Sequence, residues 1–459
     1  MSLAKRRNSQ EVGGLFADLY ELTMLRAYAE LGMEGESVFS VFVRKLPEER
    51  NFLIACGLDE LLDEIERFRF SEDDIAYLRD LNLFPDDFLD GLRGFRFAGD
   101  IFALPEGTPF FANEPILELR APIGQAQALE TLVLNRIGLQ TLLASKASRV
   151  VTAAAGRRVV DFGARRAQGA DAAILGARAF AIAGVEGTSL LAAGARYHLP
   201  VAGTMAHSFI EAFPSEEEAF ASFAALYPKT VLLVDTYDTL QGVRNAIDVA
   251  RKLGPDRRPM GVRLDSGDLL GLSRSARALL DDAGLPDMKI VASGGLDEMK
   301  IEALVRAGAP IDIFGVGTDM SVSGDAPSLD ISYKLTEYAG AGRMKLSTGK
   351  MTLPGRKQVF RRMEDGVAVG DVIARHDEIF PGTPLLAQVM RAGERIAPRE
   401  SDLSAVRAAA ARALDALPPE IRALAPVSEC YPVTISQRLQ ADAKALRVRL
   451  ARGATRKAP

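Results

Sequence analysis

Cysteine is nearly missing from this chain of 459 residues. Its two cysteines, Cys56 and Cys430, lie far apart and outside any C-x-x-C pattern. That excludes a disulfide framework and a cysteine-rich zinc site, and it fits a reducing compartment. Histidine is almost as scarce, with only His198, His207 and His376. The first two flank one short apolar run and the third is distant in sequence, so a histidine-built metal centre lacks partners. An excess of positive charge is also missing: 56 Lys and Arg stand against 61 Asp and Glu, a net charge of −5. A nucleic-acid partner is therefore not favoured, although local basic pockets for phosphates remain compatible. Long apolar runs are absent as well. The start, "MSLAKRRNSQEVGG", is basic and then polar with no signal-peptide core behind it, and the apolar stretch 172–194 is interrupted by Arg178 and Glu186. Neither suits export or a membrane span, so the expectation is a cytoplasmic protein with no membrane partner. What remains, 48% hydrophobic and 25% charged residues, is ordinary for a globular chain long enough for two or three domains.

From about residue 155 a pattern recurs. A short apolar, β-branched run ends in glycine or a polar group and gives way to an Ala/Leu-rich stretch with helical spacing. The runs are "RRVVDFGARR", "FAIAGVEGTS", "HLPVAGTMAH", "TVLLVDTYDT", "PMGVRLDSGDL", "MKIVASGGLDE" and "PIDIFGVGTD". Strands alternating with helices imply a parallel sheet with right-handed crossovers. A Rossmann-type sheet concentrates its polar groups at one switch point. Here nearly every strand ends in Asp, Arg, His, Thr or Gly, as expected when strand ends ring a common mouth, so a barrel is favoured. Residues 36–56, 97–120 and 343–373 instead carry short strands broken by Pro and Gly, and the tail from 399 to 453 has a helical composition.

Several motifs carry little. "DFG" at 161–163 lacks the other kinase signatures, and no P-loop is present. "VLLVDTYDT" superficially matches the acidic strand of type I phosphoribosyltransferases, but Thr236 stands where a second adjacent acid belongs. Others carry more. "ASGGLDE" (Ser293, Gly294, Gly295) and "FGVGTD" (Gly317, Thr318) each follow a strand, where exposed backbone N–H groups suit a phosphate, or where a tight turn is simply needed. "RLDSGDL" gathers Arg263, Asp265, Ser266 and Asp268 at one strand end. They form either a structural ion pair or an anion clamp with a sugar- or metal-binding acid. Arg165 and Arg166 are solvated or else face a carboxylate or phosphate. His207, without metal partners, is either a core histidine or a chemically active group, and the second reading is favoured.

Taken together, "DLYELTM" (18–24), "DFGARRAQG" (161–169), "VAGTMAHSF" (201–209), "VDTYDT" (234–239), "RLDSGDL", "SGGLDE" and "GVGTD" resemble the nicotinate phosphoribosyltransferase family, in the expected order from about 16 to 360. Relatives ending in a cysteine-rich metal module depart from this chain, whose two cysteines cannot supply one. The resemblance implies a type II phosphoribosyltransferase fold. Residues 121–330 would form an irregular parallel α/β barrel with the active site. Residues 1–120 and 331–459 would form an α/β sandwich, the latter also supplying C-terminal helices.

The resemblance further implies coupling of nicotinate and phosphoribosyl pyrophosphate to ATP hydrolysis, giving nicotinate mononucleotide in NAD salvage, with Mg²⁺ held mainly by pyrophosphate. By the same resemblance His207 is phosphorylated, with Asp265 and Arg165 as further catalytic groups. Tyr20, donated by the second subunit of a homodimer, and Phe162 sandwich the pyridine ring. Arg165, Ser189 and Thr204 line the nicotinate site. Asp235, Arg263 and Asp265 hold ribose, phosphate and metal-pyrophosphate, and Ser293, Gly294, Gly295, Gly317 and Thr318 form the 5′-phosphate loops. Nicotinamide- and quinolinate-specific relatives are the alternatives within the fold, and a non-catalytic sugar-phosphate-binding barrel is the alternative outside enzymes. Ser189 stands where the nicotinamide-specific relative carries an aspartate, which would repel nicotinate's carboxylate.

Overall fold

The computed structural model describes residues 12–347, 352–398 and 402–455. The basic start at 1–11, residues 348–351 of the strand-rich segment and the beginning of the tail at 399–401 lie outside the described residues. Two compact units result: Leu143–Pro327 is one, and the chain up to Leu142 together with the chain from Ser328 onward is the other. The first division falls at 142 rather than 121. The reason is that Leu129, Leu132, Val133 and Ile137 are buried in the same core as Val41, Leu53 and Leu119.

The Leu143–Pro327 unit is built on six parallel strands, β1 (Arg158–Asp161), β2 (Gly187–Thr188), β3 (Val231–Leu233), β4 (Gly261–Leu264), β5 (Lys289–Ala292) and β6 (Ile313–Val316). Their order is β2-β1-β6-β5-β4-β3, and the register runs through pairs such as Val160↔Gly187, Ile313↔Arg158 and Val291↔Ile313. The seventh expected strand is reduced to one parallel bridge, Thr188↔Val201, so among the described residues the sheet is a curled, incompletely laddered barrel. "FAIAGVEGTS" also differs from expectation. Phe180–Ile182 finish the helix Ala170–Ile182, and only Gly187–Thr188 are strand, because the alanine-rich run favours a helix that buries Ala177, Ala179, Phe180 and Ala181.

Between strands the local sequence repeats one device. Asp238, Asp268 and Asp297 each cap a helix by accepting from the backbone N–H three residues on, at 2.7, 3.2 and 2.8 Å. Each cap contributes about 1 kcal/mol. The helix Thr239–Leu253 then buries Val243, Ala246, Ile247 and Ala250, the spacing that faces a helix onto a sheet. In "VDTYDT" and "RLDSGDL" the second acid therefore starts a helix, which leaves the first acid, Asp235 or Asp265, at the strand end.

The other unit is mainly antiparallel, with one parallel pair between Val367–Arg375 and Val433–Ile435. A seven-stranded sheet runs Ala341–Gly342, Ile331–Tyr338, Glu36–Val43, Leu117–Pro122, Asp100–Ala103, Ala387–Arg391, Glu394–Arg395. Its interior strand Glu36–Val43 is buried at every residue but the first. A four-stranded sheet pairs Lys357–Glu364 with Val367–Arg375, flanked by Thr383–Pro384 and by Val433–Ile435. The tail is thus not wholly helical: that strand precedes the helix Gln437–Thr455. No helix among the described residues is long and apolar enough to cross a membrane.

Candidate active site

Parallel strands leave their carboxyl ends open to a ligand, and here those ends bring together most of the residues the motifs had marked. Asp235, just beyond β3, accepts at Oδ2 from the Asp265 backbone N–H at 3.0 Å and from Ser266 Oγ at 2.6 Å. Its Oδ1 is buried and, among the described residues, has no hydrogen-bond partner. Asp265, just beyond β4, accepts at Oδ1 from Ser293 Oγ and lies 3.6 Å from Arg263 Nη2. Arg263 donates from Nη1 to Thr204 Oγ1 at 2.8 Å, its guanidinium carbon is 5.7 Å from the centre of the Phe162 ring, and its Nε is buried without a partner. Burial pulls Arg263 below the usual guanidinium range and the nearby Arg165 adds to this, against the pull of Asp265 and Asp235.

His207 begins the short helix His207–Glu211. Its Nδ1 lies 3.1 Å from Thr236 Oγ1 and its Nε2 3.8 Å from Asp265 Oδ2. When Nδ1 carries the proton and donates to Thr236, Nε2 keeps its lone pair for chemistry. A kinase-like role for "DFG" finds no support in its geometry. Asp161 is buried and accepts from the Gly163 N–H and from Thr188 Oγ1, both at 2.8 Å, and burial raises its pKa. It shapes the turn that presents Phe162. The Phe162 ring lies against Gly315, where a Cβ would come within 2.5 Å of it, so only glycine lets the ring settle there. Ser189, exposed at the end of β2, is anchored by its N–H to the Asp161 carbonyl at 2.9 Å. Arg165 and Arg166 are both exposed on the turn Ala164–Arg166.

The two glycine turns differ. Gly294 has φ +88°, and a Cβ there would sit 1.7 Å from the Asp265 carbonyl oxygen, so the turn passes directly over the strand end that bears Asp265. The Gly295 carbonyl accepts from Lys300 Nζ at 2.5 Å. Gly317 and Thr318 lead into the helix Thr318–Val322. Behind both turns Lys146 Nζ meets Glu298 Oε2 and Asp319 Oδ2, each at 2.5 Å, and Asp325 Oδ1 at 3.2 Å, while Arg149 Nε donates to Glu298 Oε1 at 2.8 Å. Glu298 and Asp319 stand in the first turns of the helices that follow the two glycine turns, so this buried cluster ties the turns to each other. Sequence reading missed it, along with the contact of Thr236 with His207. Lys146 sits unmarked in a long helix, and only its spacing from Arg149, one helical turn on, hinted at a shared task. Tyr20 belongs to the other unit, on the helix Leu19–Glu30, where it is 44% exposed. Burial, and after it the neighbouring Glu130, hold its phenol above the usual range.

A parallel α/β sheet with acids, an arginine and glycine turns at its strand ends, in a chain whose second unit is mainly antiparallel, is the architecture of type II phosphoribosyltransferases. The crystal structure of human nicotinic acid phosphoribosyltransferase superposes with a TM-score of 0.83 at 28% identity, covering 94% of this chain and 99% of that one. The family model for the nicotinate phosphoribosyltransferase N-terminal domain matches residues 15–138, and the model for the nicotinate phosphoribosyltransferase family matches 157–365. A nicotinate phosphoribosyltransferase of Mycobacterium tuberculosis is 53% identical over 438 residues, 95% of each chain. One from Bacillus subtilis is 41% identical over 374 residues, 79% of this chain and 76% of its own. The chain belongs to the nicotinate phosphoribosyltransferase family.

Proposed function

We propose that this enzyme of NAD biosynthesis joins nicotinate to phosphoribosyl pyrophosphate, and that ATP drives the transfer through a phosphate carried on His207. The observation that carries the reading is the setting of His207 within a member of this family. Its Nδ1 faces a hydroxyl and its Nε2 faces the Asp265 strand end. Nε2 attacks the γ-phosphorus of ATP; the N–P bond forms as the bond to the β–γ bridging oxygen breaks, and ADP leaves with that electron pair. Water later discharges the phosphoramidate. In the transfer itself the pyridine nitrogen bonds to C1 of the ribose as the C1–O bond to pyrophosphate breaks, through an oxocarbenium-like state.

Arg263 faces anionic oxygens, Asp235 and Asp265 the ribose hydroxyls, and the backbone around Gly294, Gly295, Gly317 and Thr318 the 5′-phosphate. Phe162 stacks on the pyridine, with Arg165, Thr204 and Ser189 about its carboxylate. Magnesium fits these residues, because Asp235 offers a buried oxygen without a partner beside a second carboxylate. Asp235 and Asp265 would hold the ion together with pyrophosphate, and it would neutralise the leaving group.

His207→Ala should abolish ATP hydrolysis and ATP stimulation while sparing weak, ATP-independent nucleotide formation. Incubation with γ-labelled ATP should give an acid-labile, base-stable label on the wild type only; equal labelling of the Ala variant would sink the assignment. We further propose a homodimer in which the exposed Tyr20 ring of one copy covers the pyridine bound by the other. Mixing Tyr20→Ala with Arg165→Ala under subunit exchange should restore about a quarter of the sites, by two-fold symmetry. No gain despite proven exchange would remove Tyr20 from that role.

A further inference from the structure

The antiparallel unit contains a recess of about 340 Å³, remote in sequence from the strand ends described above. Its lining includes Arg356, Arg375, His376 and Arg449, with Glu337 and Asp442. The charges do not cancel. Arg375 is committed: its Nη1 donates to Asp442 Oδ2 at 2.7 Å and its Nε to Asp377 Oδ1 at 3.1 Å. Arg356 is half-buried, and its guanidinium carbon lies 4.6 Å from the centre of the Phe102 ring. Among the described residues neither its guanidinium nor that of Arg449 has a hydrogen-bonding or carboxylate partner. Setting the Arg375–Asp442 pair aside, two positive groups face the single carboxylate of Glu337.

A partly desolvated cation without an anion is costly, and the protein has spent an aromatic face on holding this one in place. A ring beneath a guanidinium leaves its edge N–H groups available, which is the presentation that suits a tetrahedral oxyanion held by two parallel hydrogen bonds. His376 completes the surroundings. Burial, then the charge of Arg356, depress its pKa, while Asp377, Glu118 and Glu337 pull the other way.

We propose that this recess, between the segment 354–356, the strand ends at Tyr338 and Arg375 and the helix Gln437–Thr455, is a binding site for a phosphoryl dianion. Arg356 and Arg449 grip it and His376 gains a proton as it binds. The size of the recess admits either free phosphate or the phosphate end of a nucleoside monophosphate, with a hydroxyl of the ligand donating to Glu337. The site is independent of catalysis at His207, so its occupant would be an effector or a stabilising ion. It gives the C-terminal helix, whose sequence lies beyond both matched family segments, a task of its own.

The chain's three histidines make the test direct, because their ring resonances can be resolved and assigned one by one. Inorganic phosphate is titrated into the full chain at constant ionic strength while the ring signals are followed by NMR. His376→Gln identifies one signal, and His207 reports any occupancy of the catalytic site. The His376 signal should move saturably, and its titration midpoint should rise in the presence of phosphate, the sign expected when an anion binds the protonated form. Arg449→Gln, an exposed position on the helix, should weaken the effect about tenfold, the loss of one charge-assisted contact. Arg356→Gln combined with Arg449→Gln should abolish it. Repeating the titration with adenosine monophosphate separates the sources: saturation at lower concentration points to a nucleotide, at higher concentration to free phosphate. A His376 signal that stays still, that moves equally with chloride, that moves equally in the arginine variants, or phosphate that moves only His207, overturns the proposal.

Discussion

Two arginine–aspartate pairs, one in each unit, have the same chemistry and opposite meanings. Arg361 and Asp371 lie on the antiparallel pair at the centre of the four-stranded sheet, almost wholly buried, with Nη2 to Oδ2 at 2.6 Å and Nε to Oδ1 at 3.0 Å. Tyr431 donates to the same carboxylate at 2.9 Å, and Arg361 Nη2 also donates to the Pro109 carbonyl at 2.9 Å. Nε and Nη2 of the arginine and both oxygens of the aspartate are engaged, and the aspartate holds the arginine above its ordinary range despite burial. Arg263 and Asp265 at the mouth of the parallel sheet approach only to 3.6 Å, Nε of the arginine is unused, and burial wins over the aspartate, so the guanidinium falls below its range. A closed pair is finished within the fold. An open pair has hydrogen-bonding capacity left for something that arrives later. Counting charged residues cannot tell them apart; counting unspent donors can.

The comparison can be broken from either side. Arg361→Met should leave Asp371 buried beside Glu114, a second buried carboxylate that burial and Asp371 already keep well above its ordinary pKa. The expected loss of stability is about 3–5 kcal/mol, as for other buried pairs robbed of one partner. Calorimetry of the antiparallel unit's transition measures it, and a shift no larger than that of a surface substitution would mean the pair is not closed. Arg263→Met should do the reverse. Stability should fall by much less than for Arg361→Met, because the pair it breaks is not closed. At the same time kcat/KM for the phosphoribosyl donor should fall about a hundredfold, equivalent to about 2.7 kcal/mol. A variant that unfolds while retaining its specific activity would show that Arg263 is structural after all.

How much of this was legible in the sequence follows from the same distinction. The parallel sheet was visible because "TVLLVDTYDT" and "MKIVASGGLDE" each show an apolar run, a turn and a helix in a few adjacent residues. The strand-end acids were legible for the same reason. The weaker runs misled: "FAIAG" is as apolar as a strand, but its alanines pack as a helix, and "HLPVAG" holds proline and glycine that leave a single bridge at Val201. What could not be read were pairings across long separations. Lys146 with Glu298, Lys357 with Glu118 and Arg356 on Phe102 join residues 152, 239 and more than two hundred positions apart. In a single sequence each is merely a charged residue in an ordinary segment. The second acids of "VDTYDT" and "RLDSGDL", Asp238 and Asp268, are helix caps, a task that shows only once the helix starts are in place.

A third buried carboxylate sharpens the comparison further, because it has no cation at all. Glu21, next to Tyr20 in "DLYELTM", is fully buried, accepts at Oε1 from Thr131 N–H at 2.9 Å and Thr131 Oγ1 at 2.6 Å, and leaves Oε2 without a partner. Burial pushes its pKa up to about 7, against the lowering effect of the two Thr131 bonds and with some help from Glu130 and Asp18. The sign of the consequence is fixed by linkage. The folded state holds the Glu21 proton over a window in which the unfolded chain has released it, from the ordinary glutamate value near 4.5 up to about 7. Its contribution to stability is therefore whole below that window and is lost as pH rises through about 7. Glu21→Gln keeps an acceptor for Thr131 and cannot ionise. Between about pH 5 and about pH 8 the melting temperature of the Gln variant should accordingly gain on that of the wild type, whatever the other carboxylates do in common. The effect should be smaller than either arginine substitution, because only one proton is at stake. A difference between the two proteins that stays constant across that range would mean Glu21 is ionised in the fold, and that its unpartnered oxygen is reached by something other than a proton.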